Sequence, residues 1–377
     1  MSTLQITLPP FSPDYSGVAS ALFELGGMLI LHDASGCTGN YLGYDEPRWA
    51  EHSTVVYCSG LRHLDAILGN DDKLVSRTVD AAGKMHPRFV AVIGSPVPML
   101  VGCDYDGVAK EIEARTGIPA FGFDTTGIPF YDRGVFLACK ALVDRYAKPA
   151  EETIPHSVNL LGLTPFDFGA RGNAEAVRAW FSGHGWKVLS SMSMGTSLEE
   201  IALCSQASLN VALTECGLET ARYLQNAFGT PYVAGCPIGD GTLMEARMGG
   251  TPIRFPKPAS GRKVVILGEQ VLSAMLRDEL RRRGVGEVMV DVLFRADGSF
   301  MEKGDWNTWS EKEIRSILAS TDYTDVIADP LYHPLVRKAG VRFHGLPSVA
   351  ISSKVYWDSI PSYLGKEMEA FIDEVAE

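Results

Sequence analysis

The sequence predicts an α/β protein: three Rossmann-like domains with parallel sheets, flanked by helices and set around a central cleft. Three observations predict it. Short apolar runs bounded by turn residues alternate with helical patterns along the chain, which implies parallel sheets covered on both faces. A unit that opens on an apolar strand and closes on Gly-x-Pro plus another strand recurs three times. The 377 residues and 46% hydrophobic content suffice for two to three domains of about 100–200 residues each.

The first unit opens at Gly27–Leu31, has a further strand at Phe89–Ile93, and closes at Gly117–Phe123. The second opens at Ser157–Leu163 and closes at Gly229–Gly235. The third opens at Lys263–Gly268 and closes at Gly345–Ile351. In each closing segment the Gly ends a helix and the Pro blocks its continuation. Pro- and charge-rich stretches at 146–152 and 256–261 read as linkers. They divide the chain into 1–150, 151–258 and 259–377.

A net charge of −12 and a pI near 5.2 disfavour nucleic acid and anionic membrane surfaces as partners. No apolar run is long enough to span a bilayer, and Met1–Gln5 lacks the features of a signal peptide. A cytoplasmic location is expected. Seven cysteines, an odd number with no C-x-x-C pair, argue against a disulfide framework and against local zinc or ferredoxin-type motifs. Neither a P-loop nor a G-x-G-x-x-G follows any strand, so no nucleotide site is expected.

The chemistry gathers past strand ends, where α/β sheets place their ligands. Cys37 leaves the first strand behind a Ser35-Gly36 turn. The stretch Cys37–Trp49, with Tyr41 and Arg48, reads either as a domain-packing loop or as the wall of a site. Cys58 ends the short strand Val55–Tyr57, and His63 packs or caps the helix after it. Cys103 lies further past Phe89–Ile93, where a helix N-terminus would lower its pKa. In the second unit Cys216 follows the strand Leu209–Leu213, and Cys236, Asp240 and Glu245 follow the closing strand. Cys139 and Cys204 stand in apolar helical contexts and read as core.

The order of these segments resembles nitrogenase component 1. The resemblance rests on His32–Cys37, on Cys58–Gly69 with its Asp65-Ala66-Ile67-Leu68-Gly69, on Ile93–Gly107, and on Gly117-Ile118-Pro119. That family includes the molybdenum–iron protein chains, cofactor-assembly scaffolds and nitrogenase-like reductases. The resemblance implies paired homologous subunits with an iron–sulfur cluster at their interface. It implies electrons from a separate ATP-hydrolysing iron protein that carries the P-loop, and a substrate in the cleft between domains.

Matched residue by residue, Cys37 takes the place of the family's central cluster cysteine in His-x-x-x-Gly-Cys. The earlier family cysteine falls in Phe11–Gly17 and the later one near Pro96 or Val97, and neither segment holds a thiol. An eight-iron P-cluster is therefore not expected. Cys37 and Cys58 from each of two copies would supply the four thiolates of a single [4Fe-4S] cluster. Cys37 with Cys103 is the competing set, and a different partner subunit could also supply ligands. The cofactor cysteine of the molybdenum–iron α chain falls on Leu213. His333 and His344 carry no matching motif. Tyr41, Arg48, Cys216, Cys236, Asp240 and Glu245 stand as cleft candidates. The resemblance thus points to a nitrogenase-like reductase component acting on a small or tetrapyrrole-like molecule. The alternative is a non-catalytic scaffold or carrier for metal-cofactor assembly.

Overall fold

The computed structural model describes residues 5–50, 54–170 and 172–377. Residues 1–4, part of the N-terminal segment read above, lie outside that set. Three sheets follow one another along the chain. The first holds β1 (Met28–Leu31), β2 (Val55–Cys58), β3 (Val90–Ile93) and β4 (Ala120–Phe123), in the order β2-β1-β3-β4. The second holds β5 (Ile154–Leu163), β6 (Lys187–Ser193), β7 (Ala207–Ala212) and β8 (Tyr232–Ala234), in the order β6-β5-β7-β8. The third holds β9 (Ser260–Gly268), β10 (Val285–Val292), β11 (Trp306–Asn307), β12 (Asp325–Ala328) and β13 (Arg342–Gly345), in the order β11-β10-β9-β12-β13. Every pairing between these strands is parallel.

The strand sequences explain the arrangement. Met28-Leu29-Ile30-Leu31 and Val90-Ala91-Val92-Ile93 are buried throughout, as strands covered on both faces must be. Alternate residues serve opposite faces. Met28, Ile30, Val90 and Val92 join one apolar cluster, while Leu29, Leu31, Ala91 and Ile93 join another. The helix Tyr105–Thr116 starts at Asp104, whose side chain accepts the Gly107 N–H at 2.9 Å. It stops at Gly117 with a left-handed φ of 71°, the usual C-terminal stop. Gly229 ends the helix Glu215–Phe228 in the same way.

The third copy of the unit departs from expectation. Gly345-Leu346-Pro347 follows the last strand rather than preceding one, and Val349–Ser352 is a short helix. Asp329 holds it there. Its carboxylate accepts the Ser348 N–H at 2.9 Å and the Ser352 hydroxyl at 2.6 Å. The stretch 256–261 is also shorter as a connector than expected, because β9 begins at Ser260.

Two helices tie the first sheet to the second. Asp14–Leu22 and Tyr131–Tyr146 cross at their first turns. A Cβ on Gly17 would strike the Tyr131 backbone, and one on Gly134 would strike the Asp14 carbonyl. Only glycine permits this approach of backbone to backbone.

In each sheet the chain leaves two neighbouring central strands in opposite directions. These topological switch points are β1/β3, β5/β7 and β9/β12. They are where open parallel sheets place ligands.

Candidate functional site

The first switch point carries thiols. Leu31 of β1 lies opposite Cys58 of β2, and Cys37 is the second residue of the helix Gly36–Asn40 that follows β1. Both thiols are half-buried. Asp33 lies between them. Cys58 Sγ donates to its Oδ1 at 3.3 Å, and the Gly60 N–H donates to Cys58 Sγ at 3.3 Å. The Asp33 carboxylate also takes the Thr38 N–H at 2.7 Å, which fixes the entry of the Cys37 helix. The Ser95 hydroxyl, just past the end of β3, donates to the His32 carbonyl at 2.8 Å. Burial, then the Asp33 charge, pushes the Cys37 thiol above its ordinary value. Burial likewise raises Cys58.

The surface beside these thiols is apolar. On the helix His63–Leu68, Leu64, Ile67 and Leu68 are exposed. Next to it, Val97, Leu100 and Val101 are exposed on the helix Pro96–Val101. His63 is exposed as well, so it does not pack under its helix. A cavity of about 440 Å³ opens beyond the end of the Cys37 helix, at Asn40, with residues of the first and third units in its walls. Phe11, Tyr15, Asn40 and Tyr44 face Leu331 and Val355 across it.

Several cleft candidates lie elsewhere. Tyr41 and Arg48 do not wall a cleft; they are buried under the Cys37 loop. Arg48 bonds Glu46 at 2.7 Å and Glu24 at 2.8 Å, and the Tyr41 hydroxyl donates to Glu46 at 3.1 Å. The requirement of Glu46 for a counter-charge holds both inward. Asp240 is exposed and paired with Arg282 at 2.9 Å, and Glu245 projects from the exposed face of the helix Thr242–Met248. Cys103 packs with the Met28–Ile30 cluster, whereas Cys37 packs with the cluster on the opposite face of the sheet. The pairing of Cys37 with Cys103 therefore has no geometric support. Nor does a helix lower the Cys103 pKa. Burial, then Asp71, Asp104 and Asp124, pushes it up to about 12.

The second and third switch points meet in the interior. Asp167, past β5, accepts the Tyr131 hydroxyl at 2.7 Å and the Thr164 hydroxyl at 2.9 Å. Cys216, past β7, is buried, with its sulfur 3.1 Å from the Thr214 hydroxyl and 3.8 Å from Asp167. Glu269, past β9, accepts the N–H of Glu215 at 2.7 Å and that of Val271 at 3.0 Å. Cys236 is also buried here. Asp167 and Glu269 share a small cavity of about 50 Å³ with Tyr363, Ser273 and Ser348. Burial raises the pKa of both carboxyls, and a neighbouring acid raises each further, Asp132 beside Asp167 and Asp167 beside Glu269. Burial also raises Glu215, reinforced by Asp132 and Glu269. The sequence flagged the thiols of this cluster but not Asp167, Glu215 or Glu269. Their position just past β5, β7 and β9 was the available signal.

Among the described residues, no group of three or more His, Cys, Asp or Glu side chains is arranged to hold a metal ion. No helix among them is long and apolar enough to cross a membrane.

A parallel α/β chain with one thiol past a central strand and another at the end of the neighbouring edge strand defines a class. Residues 13–243 match the nitrogenase component 1 type oxidoreductase family. The chain belongs to that family. Its similarities are spread over several branches. It is 26% identical to the nitrogenase iron-molybdenum cofactor biosynthesis protein NifE of Rhodobacter capsulatus, over 60% of this chain and 48% of that protein. It is 37% identical to a polypeptide of the light-independent protochlorophyllide reductase of Pelodictyon phaeoclathratiforme, over 55% of this chain and 42% of that protein. The chain thus spans less than half the length of these relatives. The fold also matches a solved structure of nitrogenase Cp1 at pH 5, with a TM-score of 0.70 over 100% of this chain and 88% of that one, at 15% identity.

Proposed function

We propose that this chain is the catalytic component of a nitrogenase-like reductase. In this reading it takes electrons from an ATP-dependent iron protein in the cytoplasm and reduces a small or tetrapyrrole-like molecule. The observation that carries the reading is the pair Cys37 and Cys58 at adjacent strand ends, in a chain of this family.

The donor set fits half of a shared iron–sulfur site. Two half-buried thiols face the edge, and a [4Fe-4S] cluster takes four thiolates. A second copy, or a homologous subunit, related by a twofold axis would supply the rest. The exposed apolar helices His63–Leu68 and Pro96–Val101 beside the thiols suit such a partner. When bound, the cluster supplies one-electron transfer. The Gly60 N–H donates to the Cys58 sulfur at 3.3 Å, one contact that favours its thiolate form. Asp33 orients both segments. The 440 Å³ cavity that Asn40, at the end of the Cys37 helix, helps to line has room for an organic substrate, with Phe11, Tyr15, Tyr44 and four prolines among its walls.

Anaerobic purification, iron and sulfide analysis and EPR test the reading. Iron should be present and should fall sharply in Cys37→Ala. Reduced iron protein and MgATP should change the redox state of the cluster. Full iron in Cys37→Ala, or no ATP-dependent electron transfer from a competent iron protein, overturns it. A second reading, a scaffold for metal-cofactor assembly, draws on the similarity to NifE proteins. Transfer of bound metal to an acceptor protein without substrate turnover would favour it.

A further inference from the structure

We infer that Glu215, Glu269 and Asp167 form a proton-conducting path that joins an outer cavity to the interdomain cavity. The inference deepens the reductase reading and rests on it, since each electron delivered to an organic substrate must be matched by a proton.

The geometry starts at the outer cavity. It measures about 290 Å³ and is lined by Glu215, Glu219, Arg222, Arg295 and Asp297. Arg222 pairs with Asp297, and Arg295 pairs with Glu219. The rim is thus charged and wet, while Glu215 is only 6% exposed. Its Oε2 is buried and has no hydrogen-bond partner among the described residues. A buried carboxylate oxygen without a donor is costly. A protonated carboxyl, or one that hands its proton to a water, removes that cost.

Glu269 is the next group inward. Its carboxylate takes the Glu215 N–H at 2.7 Å, so it lies directly against the Glu215 backbone. Glu269 and Asp167 then line the same inner cavity. At about 50 Å³ that cavity has room for water, which needs roughly 10–15 Å³. Ser273, Ser348 and Tyr363 are its other polar walls. Asp167 carries the path on to the Tyr131 hydroxyl and to Cys216.

The surroundings of this line set which of its members is protonated. Burial is the main cause at each acid; Asp132, Glu269 and Asp167 raise Glu215 further while Arg295 lowers it, Asp167 raises Glu269, and Asp132 raises Asp167. Glu269, pushed up to about 8, holds its proton at neutral pH, while Asp167, pushed up to about 6, is mostly ionised there and can accept one. A proton moves inward from Glu215 to Glu269, through water where the oxygens are apart, and then to Asp167. Glu215 regains a proton from solvent through the outer cavity, so one proton enters for each delivered.

The inner cavity also borders the substrate side. Ser348 and Ile351 line it, while Ser352 and Ser353 line the 440 Å³ cavity. Only the short helix Val349–Ser352 separates the two.

Infrared spectroscopy of the full-length protein tests the path without cluster, iron protein or substrate. Its failure is therefore distinct from failure of the reductase reading. The protein at neutral pH should show a carbonyl band of protonated carboxyls that is lost in part in Glu269→Gln. On rapid transfer to D₂O the band should shift quickly. In Glu215→Gln the Glu269 component should persist but shift at least about tenfold more slowly. Glu215→Asp, which keeps an acid at the entrance, should restore much of the rate. Amide exchange measured in parallel reports whether each variant is folded. The inference is overturned if no such band exists at neutral pH. It is also overturned if folded Glu215→Gln exchanges as fast as the parent, or if Glu215→Asp exchanges as slowly as Glu215→Gln.

Discussion

The thiol edge around Cys37 and the acid cluster around Glu269 follow one rule and differ in their surroundings. Both sit at or just past the carboxyl ends of parallel strands, Cys58 on the edge strand β2. At the edge, the thiols are half-buried, lie beside exposed apolar helices, and are two in number. In the interior, Asp167, Cys216 and Glu269 come from two sheets of the same chain and are closed off from solvent. The edge presents two thiols beside an exposed apolar surface, which the proposed function makes half of a shared site, whereas the interior assembles its groups within one chain. A strand end alone therefore does not say what a site holds; the neighbouring sheet or its absence does.

Four experiments break or sharpen this contrast. The largest effect concerns metal. Cys37→Ser or Cys58→Ser should lose most bound iron, whereas Cys216→Ser should keep it; equal iron in all three would erase the distinction. Next comes stability. Arg48→Ala leaves Glu46 buried without its main counter-charge and should cost about 3–5 kcal/mol in urea unfolding. A cost near zero would mean that the edge has no rigid backing.

The third effect is pH dependence. Burial raises Asp132 from 3.8 to about 6, and it raises Asp167, Glu215 and Glu269 in the same direction. The folded state then holds protons that the unfolded state releases. That stability is present below the ordinary carboxylate range and is lost as pH rises through the folded values. Asp132 alone should account for roughly 2–3 kcal/mol. The melting temperature should fall from mildly acidic to neutral pH, and Glu269→Gln should flatten the fall while Cys37→Ala leaves it. A Glu269→Gln profile identical to the parent would remove Glu269 from the cluster's titration. The smallest change is at the surface. Leu64→Lys with Ile67→Lys should alter monomer stability by only about 0.5 kcal/mol, yet weaken self-association in sedimentation. Unchanged association would take those helices out of the interface.

Strands were legible in the sequence because buried parallel strands are short unbroken apolar runs, as in Met28–Leu31 and Val90–Ile93. Gly117 and Gly229 marked helix ends because only a left-handed residue closes those turns easily. Gly345 misled, because Asp329 captures Ser348 and Ser352 from a distance in sequence and winds the segment into a helix. Tyr41 and Arg48 looked like site residues because aromatic and charged side chains in a loop resemble a binding wall. Their burial depends on Glu24 and Glu46, which a linear reading does not bring together. The acids of the interior stayed hidden for the same reason. Asp167 and Glu269 are 102 positions apart, and no spacing motif links groups joined only by the meeting of two sheets.

The crossing of the helices Asp14–Leu22 and Tyr131–Tyr146 has a further consequence. Tyr15, on one, lines the 440 Å³ cavity, and Tyr131, on the other, donates to Asp167. The separation of that cavity from the acid cluster is therefore set by two peptide backbones in contact at Gly17 and Gly134, a spacer with no adjustable side chain. A single methyl group at either glycine would push the two helices apart, so these two residues act as the molecule's gauge block.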